Sequence, residues 1–430
     1  MAGIISDLCS EIKLPRMLKV KQKFDLTHIE KMDIPKAVFN ELSRPELSGL
    51  IKGGMRIAIT CGSRGISNIA VITRAIADFV RSRDASPFIV PAMGSHGGAC
   101  ADGQKALIAS YGVTEESAGC PVLSSMDTVV VGKAEGCDVR IDKYAAESDG
   151  IIVAGRIKPH TDYHGPYESG LMKMMAIGLG KREGADICHQ LGFGHMAHMV
   201  PLFGNAIIKN APVILGFGII ENAGSQTFRL AAMKAGEIAD KEPHLLNEAR
   251  SLMPFIPFDS TDILVVDKIG KDISGDGMDP NITGNGPCSP WVKGGIRANR
   301  TVVLDLSEQT HGIAYGMGAA HSITRRLFNK IDFNASYVNA FTSRVMEFVR
   351  IPFIADNDRE AVQAALRTCV GHDRDIAWHP AGARIIRIND SMHTEVFYIS
   401  EIMEKEAAEK GLEILEGPFE WAFNKDGNLW

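Results

Sequence analysis

M-R-I-A-I-T-C-G-S-R-G, running from Met55 to Gly65, is a short β-rich run that breaks into a glycine loop. Beyond it, Ile69, Ile72, Ile76, Phe79 and Val80 fall at spacings of three and four, the mark of one buried helix face, with Ser67 or Asn68 as a cap. The pattern then repeats. P-F-I-V-P-A-M (Pro87 to Met93) reads as a buried strand, G-S-H-G-G (Gly94 to Gly98) as a loop, and Asp102 to Tyr111 as a helix. Strand and helix in alternation imply an α/β fold with a largely parallel sheet, whose ligand crevice lies at the carboxyl ends of the strands. Arg64 and His96 are therefore expected on one rim. Short strands are expected at Thr128 to Val131 and Asp138 to Ile141, and I-I-V-A-G (Ile151 to Gly155) leads the next segment to the same rim.

Before this core, V-K-Q-K-F alternates near residue 20 and an acid-rich helical pattern follows, read as a strand and helix packed on the first domain. After it come a helix beyond His198, the apolar run Pro212 to Gly218 and a helical stretch from Met233 to Leu252. P-F-I-P-F-D-S-T (Pro254 to Thr261) breaks both periodicities and is the natural linker. The expected domains are thus 1–258 and 259–430, both α/β, with an active-site cleft between them. In the second, strands are expected at Asp262 to Asp267, Thr301 to Leu306, A-R-I-I-R-I and E-V-F-Y-I-S. Helices are expected near 313–329, 335–349 and 358–368 and from Glu401 to Lys410, and a polar loop spans Gly270 to Gly286.

With 430 residues, 45% of them hydrophobic and 23% charged, the chain has the make-up of a globular protein of two or three domains. A net charge of −6 supplies no basic footprint, so no nucleic-acid partner is expected. No apolar run is long enough to predict a membrane span. The eight cysteines include no C-x-x-C pair, which argues against a zinc knot or an iron–sulfur cassette. That usage, with an N-terminal stretch unlike a signal peptide, leads us to expect a cytoplasmic protein.

Titratable groups concentrate between Arg156 and His198: His160, His164, His189, His195 and His198 are five of the thirteen histidines, and Lys173, Lys181, Asp162 and Glu168 lie among them. Core segments avoid such groups because an unpaired buried charge costs several kcal/mol or shifts its pKa. Proton transfer and metal ligation are the functional alternatives. Gly94 to Gly98 is either a phosphate-cradling turn or a plain tight turn, and His96 at its apex favours catalysis. Arg64 is either a solvated loop tip or a two-point carboxylate or phosphate binder. Lys173 has apolar neighbours, Leu171, Met172, Met174 and Met175, so its amine is expected in a dry setting. His195 and His198, three apart, either face together on a helix and bind metal or lie partly exposed.

These residues resemble the nickel-pincer lactate racemase family, most closely over residues 55 to 200. Gly94, Ser95 and His96 match its G-[ST]-H loop, Pro159 and His160 its P-H pair, and Y-E-S-G-L-M-K its aromatic-S-G-x-x-K segment ending in Lys173. The family's further histidine matches His189, sixteen residues on (189 − 173). The resemblance implies a 2-hydroxy acid racemase or epimerase. Its cofactor would be a nickel-pincer nucleotide (a pyridinium bisthiocarboxylic acid mononucleotide with nickel) joined covalently to Lys173, with His189 as the protein's metal ligand. His96 and His160 would be the catalytic acid–base pair around reversible hydride transfer, and Arg64, Ser95 and Gly97 would contact the cofactor. Cofactor-synthesis proteins and a small 2-hydroxy acid are the implied partners, and a homo-oligomer is allowed.

The chain departs from the family in three places. Cys61 stands where an aspartate is usual. The step from His160 to Lys173 is longer, which makes His164 the alternate second base. Asp272 to Asn281 replaces the family's substrate segment without its glutamine and lysine, leaving Asp272 as an alternate and pointing to a 2-hydroxy acid other than lactate. Two rivals stand beside this reading: a zinc or iron hydrolase or lyase with His160, His164 and His189 directly on metal, and a non-enzymatic nucleotide- or anion-binding protein using the glycine loops.

Overall fold

The computed structural model describes residues 3–63, 65–288, 291–370 and 379–430, so Arg64 lies outside the described residues. The chain divides into two compact units, Asp25–Met253 and Met1–Phe24 with Pro254–Trp430. This corrects the expected division at 258/259 and the placing of the opening segment. Strand β1 (Met17–Lys21) pairs antiparallel with Val396–Ser400 on one side and Glu413–Phe419 on the other. Its buried Met17, Leu18 and Val20 thus serve the C-terminal unit. The alternation of the segment announces a strand, but sheet partners hundreds of residues away leave no local mark.

In the Asp25–Met253 unit, strands β2 (Arg56–Cys61), β3 (Ser86–Pro91), β6 (Gly150–Arg156), β7 (Val213–Glu221) and β8 (Thr227–Lys234) form one sheet, while β4 (Thr128–Ala134) and β5 (Cys137–Asp142) form a separate ribbon. The sheet order is β3-β2-β6-β7-β8, parallel throughout except for the antiparallel β7–β8 edge. Helix Ile69–Arg81 turns Ile72, Ile76, Phe79 and Val80 into a core with Ile57, Ile59 and Ile89. Each such buried side chain contributes about 1.5–3 kcal/mol. Asn68 occupies the cap position with a left-handed φ of 59°, yet its amide donates to Thr227 Oγ1 instead of capping the helix. The helix expected from Met233 begins only at Ile238, because Met233 and Lys234 complete β8 and Ala235–Glu237 form a 3-10 turn.

The other unit holds an eight-stranded sheet. Its remaining strands are β9 (Ser260–Ile269), β10 (Arg297–Leu306), β11 (Ser322–Thr324), β12 (Phe353–Ala355), β13 (Ile385–Ile388), β14 (Val396–Ser400) and β15 (Glu413–Phe419), in the order β12-β11-β10-β9-β13-β14-β1-β15. From β12 to β13 the pairs are parallel, and from β13 to β15 antiparallel. Residues 313–329, expected as one helix, are a 3-10 turn, the strand β11 and the short helix Arg325–Asn329. Among the described residues no helix is long and apolar enough to cross a membrane.

Candidate active site

Parallel β2, β3 and β6 deliver their following loops to one edge of the sheet, as any parallel array must. Glu221, at the end of β7, ties two of these loops together. One of its oxygens accepts the Ser67 N–H at 2.6 Å, and the other binds Arg156 at 2.5 Å. His96 reaches across from the β3 loop, with Nδ1 2.6 Å from Ser63 Oγ in the β2 loop. Tyr111 steadies the same loop by donating to the Ser63 carbonyl at 2.8 Å.

A single buried carboxylate shapes the loop after β6. Glu168 Oε2 accepts the His160 N–H at 2.7 Å, while Oε1 accepts the Gly165 N–H at 3.0 Å and also meets the Arg250 guanidinium. Tyr163 donates to the Glu168 carbonyl at 3.2 Å and lies against the His160 ring, centroids 4.6 Å apart. Neutralised by Arg250 and bonded on both oxygens, Glu168 meets the requirement for a charge out of water.

His160 then meets Lys173. Its Nδ1 accepts the Asp162 N–H at 2.9 Å, which leaves the ring proton on Nε2. Nε2 faces the Lys173 amine at hydrogen-bond range. With that tautomer the amine would have to offer its lone pair to the ring, the form in which a lysine is nucleophilic. The lysine is half-buried on the helical turn Leu171–Lys173, whose Leu171 and Met172 point into the core. Glu242 caps that turn, accepting the Met172 N–H at 3.0 Å. Burial pushes the Glu242 carboxyl up to about 8, against the opposing pull of the Met172 and Leu171 N–H groups.

Past Lys173 the backbone runs as a π-helical segment, Met174–Leu179, and then as helix Lys181–His189. Wide turns of this kind recur at functional sites because they re-aim side chains. At the helix end, His189 Nδ1 donates to the Ala185 carbonyl at 2.7 Å, fixing the tautomer whose Nε2 carries the lone pair a metal needs. Phe193 joins the groups: its ring centroid is 5.6 Å from that of His189 and 6.1 Å from that of His160. The His96 loop packs on the same helices. Gly94 donates to the Gly178 carbonyl at 3.2 Å, and a Cβ on Gly94 would touch Ile177 and Ala185. His160 and Lys173 are thus in contact, Phe193 lies beside both His160 and His189, and the loop that carries His96 packs on the segment joining Lys173 to His189.

Other expected site residues fall variously. Ser95 and Gly97 flank His96, and Gly97 has a φ of +65°. His164 is half-buried in the Glu168 loop. His195 and His198 are both exposed, and His198 bonds Glu135 of the β4–β5 turn at 2.9 Å. Asp272 accepts from Ser307 Oγ at 2.5 Å, within the C-terminal unit. Cys61 is buried, and burial pushes its thiol up to about 12, so it cannot supply the charge of the aspartate it replaces. Among the described residues no three His, Cys, Asp or Glu side chains come together as a metal cage, which leaves the ligand set His160, His164 and His189 without support.

Two groups escaped the sequence reading. Glu168 stood in the quoted segment with no assigned role. Glu242 had a visible signal, since it falls on the apolar stripe of Ile238, Leu245, Leu246 and Ala249, where a carboxylate is out of place unless it serves a partner.

Residues 10–199 match the lactate racemase N-terminal domain. Among solved structures, the lactate racemase apoprotein from Thermoanaerobacterium thermosaccharolyticum is similar, with a TM-score of 0.51 and 15% identity over 87% of this chain and 98% of that one. No curated protein matches in sequence. Residues 10–199 thus match a lactate racemase N-terminal domain, and the chain as a whole shares the fold of that lactate racemase apoprotein.

Proposed function

We propose that the chain is a racemase or epimerase of a 2-hydroxy acid that carries a nickel-pincer nucleotide on Lys173, with His189 as the protein's ligand to nickel. The donor chemistry fits that group. Lys173 sits in a setting that favours the free amine an acyl linkage needs, and His189 holds its Nε2 lone pair outward from its helix bond. One imidazole is all the protein has to give such a metal, which agrees with the lack of a three-residue cage among the described residues. When bound, the cofactor supplies a reversible hydride acceptor.

The chain's own residues would handle the proton. Inversion needs an acid and a base on opposite faces of the reacting carbon, both titrating near neutrality. His160 presents Nε2–H and is the donor in this state, while His96, exposed and held by Ser63, is the acceptor. The reverse direction exchanges their roles. Asp272 to Asn281 lacks the family's glutamine and lysine, so a 2-hydroxy acid other than lactate is the better substrate.

The contact between Lys173 Nζ and His160 Nε2 carries this reading. Its test is intact mass and metal analysis of protein made in a host that synthesises the cofactor, followed by chiral analysis with a panel of 2-hydroxy acids. Nickel and an adduct are expected, both lost in Lys173→Ala. Protein with neither, or inert toward every acid when loaded, would overturn it.

A further inference from the structure

Lys181 is fully buried, charged in most settings, and unused by the chemistry above. It opens the helix that ends in His189, at a left-handed φ of +54° that a lysine adopts only when its surroundings hold it there. Its amine donates to the Pro91 carbonyl at the end of β3 and to Gln104 Oε1 at 3.0 Å, and pairs with Asp142 at 3.1 Å at the end of β5. Gln104 passes the link on, since its amide donates to the Gly94 carbonyl at 2.8 Å and the His96 carbonyl at 3.2 Å. The knot therefore joins the loop that carries His96 to the helix that carries His189.

We propose that Lys181 is a positioning residue, whose ammonium, through Gln104, fixes the His96 loop relative to the helix bearing Lys181 and His189. This rests on the roles proposed for those two histidines. Geometry favours it over simple core filling. An apolar side chain would fill the same volume without leaving a charge to be paired, and burial disfavours the charged forms of both partners, pushing Lys181 down and Asp142 up. What the amine adds is three directed bonds to three separate elements. The Gly97–Gly103 approach, where a Cβ on either glycine would lie within 3.0 Å of the other's segment, shows how closely the loop must be held.

The test uses the full chain without cofactor, as Lys181→Met and as Gln104→Met, which keeps the ion pair and cuts only the relay. Hydrogen exchange of the 94–98 amides is expected to quicken about tenfold or more in both variants, with the C-terminal unit unchanged. In loaded enzyme, kcat should fall about 100-fold with KM little altered, as misplaced catalytic groups dictate. Unchanged exchange in folded Gln104→Met overturns the proposal, as does exchange that quickens uniformly through the chain. The two readings fail separately: loop exchange in cofactor-free protein judges Lys181, whereas nickel and mass of the wild type judge the cofactor.

Discussion

Glu242 makes a residue-scale prediction about pH. Its carboxyl, raised to about 8 by burial from an ordinary 4.5, binds a proton more tightly in the folded chain than in the unfolded one. Folding then takes up a proton between those values, so Glu242 favours the fold most below about 4.5, and that contribution is lost as pH rises toward about 8. Glu242→Gln keeps an acceptor for the Met172 N–H and cannot ionise. Thermal melts from pH 5 to 8.5 should show a flatter Tm–pH line for the variant, which gains on wild type as pH rises. Parallel lines would refute the assignment. His96→Ala belongs at this scale too. In loaded enzyme it should lower kcat by about 10²–10⁴ with the adduct mass on Lys173 retained, because in the proposed reaction the imidazole moves protons and does not hold the cofactor. His96, His160, Lys173 and His189 could be singled out in the sequence from the histidine-rich stretch and the family resemblance, because the signals that mark them are local. Glu168 and Lys181 resisted because their roles depend on Arg250, Gln104 and Asp142, which the fold brings from elsewhere.

At the scale of elements, legibility followed burial. Strands β2, β3 and β6 are buried on both faces and read as continuous apolar runs, which is how the parallel core could be recognised. β8 was missed because A-A-M-K near its end has helical propensity, overridden by pairing with β7 along its whole length. β11 is three residues long, too short for any period, and β15 is exposed along most of its length, with no apolar face to detect. The His96 loop offers the test. Gly97 holds a φ of +65°, and a Cβ there would stand 2.7 Å from the Gln104 nitrogen. Gly97→Ala should therefore cost about 1–3 kcal/mol from strain and overlap together. A Tm equal to wild type would show that the loop can move aside, and that the helix after it does not constrain it.

For the whole molecule, the least legible feature is that the first 24 residues complete a unit whose remainder begins at Pro254. Nothing in M-L-K-V-K names β14 and β15 as its partners, and sequence nearness argued for the wrong unit. The joining is extensive. Met17 and Ile12 lie in one core with Ile263, Val265, Ile385 and Ala361. Gln363 donates to the Ile12 carbonyl at 2.6 Å, Trp421 to the Pro15 carbonyl at 3.0 Å, and the Glu401 N–H to the Arg16 carbonyl at 2.9 Å. Removing residues 1–24 would part β14 from β15 and strip several large apolar side chains from one core. Each such loss costs about 2–5 kcal/mol, against a total stability of about 5–15 kcal/mol for a domain. A fragment of residues 254–430 should therefore fail to show a cooperative melt or dispersed amide spectrum alone, and should gain both when a peptide of residues 1–24 is added. The fragment 25–253 keeps every strand of its own sheet and should fold without either. A cooperative transition in 254–430 by itself would mean that β13 and β14 close the sheet unaided, and that β1 is an accessory strand whose pairing adds little to the unit it joins.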